Sequence, residues 1–118
     1  MGLLTRIVRF AAVVMILAPV AAFAEAQQAG ETIFVAVHAV WCSTCRAQRP
    51  ILDALVDDPT FDDAVTFVVD FDTQRDFLRD HKVRYQSTLI VFNGEDETGC
   101  SLGDRNQDRI RALFETGL

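Results

Sequence analysis

Two kinds of apolar spacing alternate along this chain. Thr32–Val37 is a short run of apolar and β-branched residues, and Val65–Phe71 and Thr88–Phe92 repeat that pattern. Runs of this length and composition predict buried strands. Between and after them, Ala47, Ile51, Ala54 and Leu55, and later Ile110, Leu113 and Phe114, recur at helical spacing. The predicted order starts with a strand over Thr32–His38 and a helix from Cys42 to about Val56. A break at Asp57-Asp58-Pro59 and a short helical turn over 60–63 follow. Next come a strand over 65–71 and a helix from Asp72 or Thr73 to about His81, with Phe77 and Leu78 inward. The strand over 88–92 then turns at Asn93-Gly94, a strong hairpin signal, into a more polar edge strand over 97–102. Gly103 ends that strand, and Asp104 with Gln107 three residues on predicts a capped last helix. Residues 25–31 read as a loose polar lead. The order β-α-β-α-β-β-α predicts an α/β fold, a central four-stranded mixed sheet flanked by helices.

The first 24 residues follow another pattern. Arg6 and Arg9 stand in a stretch without acids, Phe10–Ala24 is uncharged and rich in Ala and Val, and Ala22-Phe23-Ala24 precedes Glu25. This three-part layout predicts a secretory signal peptide over residues 1–24, cut after Ala24, and one folded domain over 25–118. Pro19 interrupts an apolar run that is already short for a membrane-spanning helix. Export puts the thiols in an oxidising compartment, the periplasm if the source is a Gram-negative bacterium.

Composition narrows the partners. The chain has 118 residues and a formal charge of −6, with every acid beyond residue 24. That balance argues against nucleic acid and against anionic membrane surfaces. Three cysteines are too few for a disulfide-stapled scaffold. No glycine-rich phosphate loop occurs, so no organic cofactor is expected.

The candidate chemistry lies in Ala39–Pro50. Cys42 and Cys45 stand three positions apart where a strand ends and a helix begins. The free N–H groups and positive dipole end of a helix N-terminus favour a thiolate over a thiol at Cys42. Cys45, one turn on, is within reach of the first sulfur, so the pair can cycle between dithiol and disulfide. The bland alternatives are an inert buried pair or half of a zinc site. A structural zinc site wants four Cys or His ligands, and only Cys100, His38 and His81 remain to complete it. His38 is a candidate for proton exchange with Cys45, or else a packing residue. His81 reads as a partner for the C-terminal dipole of its helix, and Cys100 as a thiol buried in the edge strand or else one that forms a mixed disulfide with a partner. Pro50 should bend the helix that follows the cysteines.

These residues resemble the thioredoxin family. Trp41-Cys42-Ser43-Thr44-Cys45 is similar to its active-site motif, and Pro50 to the proline that bends its active-site helix. Val68–Asp72 resembles its second central strand, Ser87–Gly94 the segment that begins at its cis-proline, and Gly103 the glycine after its last strand. The resemblance runs through nearly all of residues 25–118 and implies a minimal thioredoxin-like fold, without an extra N-terminal strand and helix. It implies Cys42 and Cys45 as the catalytic pair. It also implies Trp41, Gln86, Ser87 and Gly103 as residues that meet the substrate chain, which pairs by strand addition. The chain departs from the family in three places. Ser87 stands where the family has its cis-proline. A cis bond before a non-proline residue costs about 2.5–4 kcal/mol, so the Gln86-Ser87 bond is expected to be trans. Ala36 and Val68 replace a buried acid and its lysine partner. Their joint loss leaves no unpaired buried charge, and also no buried proton acceptor. Ser43-Thr44 replaces Gly-Pro between the cysteines.

The resulting expectation is an exported thiol-disulfide oxidoreductase, a monomer that reduces protein disulfides through Cys42 and Cys45 and draws electrons from a membrane donor. The alternatives are a disulfide oxidase or isomerase of the same fold, and a metallochaperone-type module. In the last, Cys42 and Cys45 with His38 or His81 would hold a soft ion such as Cu(I).

Overall fold

The computed structural model describes residues 20–118 together with the strand residues Val13–Val14. The signal peptide expected over residues 1–24 therefore lies largely outside the described residues. The elements are β1 (Val13–Val14), α1 (Val20–Gln28), β2 (Thr32–His38), α2 (Ser43–Val56), a 3-10 turn at Pro59–Phe61, β3 (Val65–Asp70), α3 (Arg75–Asp80), β4 (Thr88–Asn93), β5 (Asp96–Leu102) and α4 (Gln107–Glu115).

The apolar runs form the centre of one sheet with strand order β1-β3-β2-β4-β5. β2 pairs parallel with β3, and both β2 and β5 run antiparallel to β4. β2 is apolar from Ile33 to Val37 because that stretch is covered on both faces. Ile33, Val35 and Val37 join one core with Phe67, Val69, Phe77, Leu78, Ile90 and Phe92. Phe34 and Ala36 point the other way and join Leu52, Leu55, Phe61, Leu89, Val91, Ile110 and Phe114. The alternation along each strand thus splits one apolar run between two helix layers. β5 is exposed along most of its length, as expected of an edge. The hairpin before it turns at Gly94, whose φ of +61° suits a residue without a Cβ. An ideal Cβ there would come within 3.4 Å of the Gly30 Cα.

Four expectations are corrected. Residues 25–31 are not a loose lead: Val20–Gln28 is a helix, and Phe23 is only 4% exposed. The Phe23 ring meets Phe67, Phe77 and Phe92 edge-on at 5.8, 5.2 and 5.3 Å between centroids. The fold is therefore not the minimal form, since α1 and the β1 pair extend the four central strands. The buried face of α2 is Cys45, Gln48, Leu52 and Leu55, with Ala47 and Ala54 exposed, so the helix is rotated from the expected face. The last helix is capped by Asn106, whose side chain accepts from the Arg109 N–H. Asp104 instead accepts the Asn106 N–H and holds the Arg109 guanidinium through both oxygens.

Candidate active site

The carboxyl ends of β2 and β3 and the start of α2 frame a small buried cluster of Ala39, Cys42 and Cys45, with Phe71 against it. Cys42 is the N-cap of α2, with extended backbone at φ −90° and ψ 114°. Its N–H donates to the Ala39 carbonyl at 3.1 Å, which closes the turn from strand to helix. Its Sγ accepts the Cys45 N–H at 3.1 Å. A sulfur thus occupies the place where a serine or aspartate oxygen usually satisfies the first N–H groups of a helix. Both cysteines are free thiols and both are buried.

The two sulfurs sit in different surroundings. The Cys45 Sγ lies 3.8 Å from the Val37 carbonyl at the end of β2. Burial, then the hydrogen bond with Cys42, pushes the Cys45 thiol up to about 11, while the N–H groups of Ala39 and Ser87 pull against that rise. Cys45 is therefore a thiol at neutral pH. His38 ends β2, opposite Asp70 in the register. Burial first, then the Arg49 charge, lowers its pKa, while Asp70 opposes the shift. The imidazole at the rim of the site is thus neutral at pH 7.

Trp41 is 55% exposed and its Nε1 donates to both carboxylate oxygens of Asp72, at 3.0 and 3.2 Å. Its ring stands edge-on to Phe71. Asp72 thereby fixes the indole beside the cysteines.

The loop before β4 closes the other side. The chain has no cis peptide bond among the described residues, and Ser87 takes a φ of +60° instead. The loop is reshaped as a left-handed trans turn, a conformation that disfavours most side chains. Its N–H donates to the Val37 carbonyl at 2.8 Å and its hydroxyl to the Gln86 carbonyl at 2.6 Å. The Gly103 N–H donates to the Ser87 carbonyl at 3.0 Å, so Gly103 joins the same frame. Cys42, Cys45, Trp41, Ser87 and Gly103 thus lie around the place where β2, α2 and the loop before β4 meet, with His38 at the end of β2 and Gln86 next to Ser87 in the loop.

Two neighbours went unread in the sequence. Gln48 is buried at the base of this loop. The signal for it was available, because it lies three residues past Cys45 and four before Leu52, on the face that packs inward. Asp72 carried no such signal, since only the fold brings it to Trp41. Ala36 and Val68 sit opposite each other across β2 and β3, so the two replaced positions are partners in register. A cavity of about 300 Å³ lined by Leu52, Asp53, Thr66 and Val68 opens beside them.

Two other residues lie elsewhere. His81 is the C-cap of α3, but its ring packs between Phe77 at 4.2 Å and Phe23 at 5.2 Å. Burial lowers its pKa, which makes it a neutral aromatic neighbour rather than a cationic dipole partner. Cys100 is exposed on β5 rather than buried. Among the described residues no three His, Cys, Asp or Glu side chains gather as metal ligands.

Comparison with known proteins gives a consistent picture. The family model described as Thioredoxin matches residues 14–116, a span that includes α1. A thioredoxin of Echinococcus granulosus is 33% identical over 93 residues, which is 77% of this chain and 83% of that one. The structure of Trxlp from Edwardsiella tarda EIB202 has a TM-score of 0.76 at 36% identity, covering 79% of this chain and 91% of that one. The Malassezia sympodialis thioredoxin Mala s 13 has a TM-score of 0.77 at 18% identity, covering 86% and 90%, a likeness of fold.

Proposed function

The chain belongs to the thioredoxin family, and on that premise we propose that it is an exported reductase of protein disulfides, acting as a monomer through Cys42 and Cys45. Members of this family act on protein disulfides in general. The observation that carries the reading here is the asymmetry of the two sulfurs, one capping a helix and the other held as a thiol behind it.

The chemistry runs in two exchanges. The Cys42 thiolate attacks one sulfur of a client disulfide. That S–S bond breaks, a Cys42–client disulfide forms, and the departing client thiolate takes a proton from water. Cys45 then loses its proton and attacks the Cys42 Sγ. The mixed disulfide breaks, Cys42–Cys45 closes, and the second client thiolate leaves. Two electrons pass to the client. An oxidised chain must then be reduced by a dithiol donor, which for an exported protein is proposed to be membrane-bound.

His38, the last residue of β2, is the candidate acceptor for the Cys45 proton where Ala36 offers no carboxylate. The proposal of export rests on Arg6, Arg9 and the apolar run to Ala24. Reduction is favoured over oxidation because, among the described residues, only single helices and short loops connect the central strands, with no helical domain to hold unfolded clients.

The deciding experiment is the equilibrium redox potential of the Cys42/Cys45 pair against glutathione. A reducing value, with catalysis of insulin disulfide reduction, supports the reading. A strongly oxidising value turns the same site into an oxidase.

A further inference from the structure

Gln48 is a buried polar side chain that the two exchange steps do not use. It is 2% exposed and sits one turn past Cys45 on α2. Its Nε2 donates twice, to the Asp104 carbonyl at 2.8 Å and to the Ser87 carbonyl at 3.3 Å. A side-chain amide nitrogen has two hydrogens, so both are spent on backbone oxygens of two different loops. The Ser87 carbonyl takes the Gly103 N–H as well. One amide thus joins three segments around the dithiol: the cysteine helix, the turn at Ser87 and the turn at Gly103-Asp104.

One of these loops needs an outside constraint. Gly103 takes its φ of +71° freely as a glycine, but Ser87 sits at +60° with no proline ring to fix its backbone. A serine in the left-handed region is held there by its surroundings, since its own preference lies elsewhere. The Ser87 N–H is held by Val37 and its carbonyl by Gly103 and Gln48. An aliphatic side chain at position 48 would leave the Asp104 carbonyl without the Gln48 donor and remove one of the two donors to Ser87.

We propose that Gln48 is a positioning residue that clamps the Ser87 and Gly103-Asp104 loops to the cysteine helix, so that a client polypeptide finds a preformed backbone edge beside Cys42. The client part of this statement rests on the reading that protein disulfides are the substrates; the clamp itself does not. A large substrate that must lay its chain along the edge depends on the clamp. A small disulfide that only has to reach the sulfur does not.

The test uses the full chain with Gln48→Leu and Gln48→Met, which remove both donors at similar volume. Hydrogen exchange at the Gly103 amide, relative to the Ile90 amide in β4, is expected to speed up at least tenfold in both. For insulin, kcat/KM is expected to fall about tenfold, mostly through KM. The rate with 5,5′-dithiobis(2-nitrobenzoic acid) is expected to stay within twofold. Unchanged Gly103 protection, or an equal loss with both substrates, overturns the proposal. If the unmutated chain fails to reduce insulin, the proposed function falls while the exchange measurement still decides the clamp. Should neither variant fold, NMR of the unmutated chain decides. Hydrogen-bond couplings from the Gln48 side-chain amide to the Ser87 and Asp104 carbonyls support the clamp, and their absence overturns it.

Discussion

The Cys45 N–H donates to the Sγ of Cys42 at 3.1 Å, so the backbone of one cysteine holds the sulfur of the other. Cys45's own sulfur lies in buried surroundings that push it up to about 11. At pH 7 alkylation should therefore reach Cys42 and leave Cys45 unmodified. Exposed Cys100 is best replaced by serine first. Peptide mass mapping after iodoacetamide is expected to show one adduct, at Cys42, with Cys45 labelled only as the pH approaches 11. Labelling of Cys45 ahead of Cys42 contradicts the assignment of roles.

Trp41 is held by Asp72 rather than by packing alone. Asp72→Ala should free the indole. An exposed charge-assisted hydrogen bond is worth on the order of 1 kcal/mol, so client kcat/KM should drop about fivefold. The fluorescence of Trp41, the only tryptophan, reads the change directly. An unaltered emission spectrum in Asp72→Ala speaks against this contact.

Phe23 fills the centre of an aromatic cluster made with Phe67, Phe77 and Phe92. Phe23→Ala is expected to lower stability by about 3–5 kcal/mol in urea unfolding. A chain beginning at Glu25 should lose a similar amount, because a cut after Ala24 takes Phe23 with it. The N-terminal residue of the protein purified from its host is therefore informative. A Phe23→Ala loss below about 1 kcal/mol would remove α1 from the core.

His81 packs neutral among the same rings, with burial lowering its pKa and the charges of Asp80 and Glu97 opposing. Between the lowered folded value and the unfolded value of about 6.5, the unfolded chain binds more protons. Stability should accordingly fall as the pH drops through 6.5 and level off below the folded value. Urea unfolding at pH 7.5 and 5.5 measures this, above the range where paired carboxylates such as Asp58 titrate. His81→Leu is expected to flatten the slope that remains after His38, also lowered, is replaced. An unchanged slope in that double variant assigns the effect elsewhere.

The central strands were legible because burial on both faces leaves no polar position in Phe34–Val37 or Leu89–Phe92. The cysteine pair was legible because its spacing and the strand before it are local features. What failed depends on packing from outside the segment. α1 is rich in Ala, which shows little amphipathic contrast, and only its contact with the distant Phe67 and Phe92 makes Phe23 a core residue. The α2 face was misread by about one position because Ile51 and Ala47 carry the apolar signal while Gln48 and Leu52 turn inward. Helical spacing from Cys45 and Leu52 puts Gln48 on the buried face, but the two loop carbonyls that its amide serves come from distant segments and leave no local signal. Asp104 offered a capping oxygen in sequence but is engaged by Arg109, and Asn106 caps in its place.

The division of labour between the two sulfurs is tested most directly by trapping. Cys45→Ser and Cys42→Ser chains, each with Cys100→Ser, are mixed with a disulfide client, quenched with acid and weighed intact. Cys45→Ser should accumulate one client molecule joined through Cys42, and Cys42→Ser should carry none. A covalent complex formed by Cys42→Ser but not by Cys45→Ser would contradict the account.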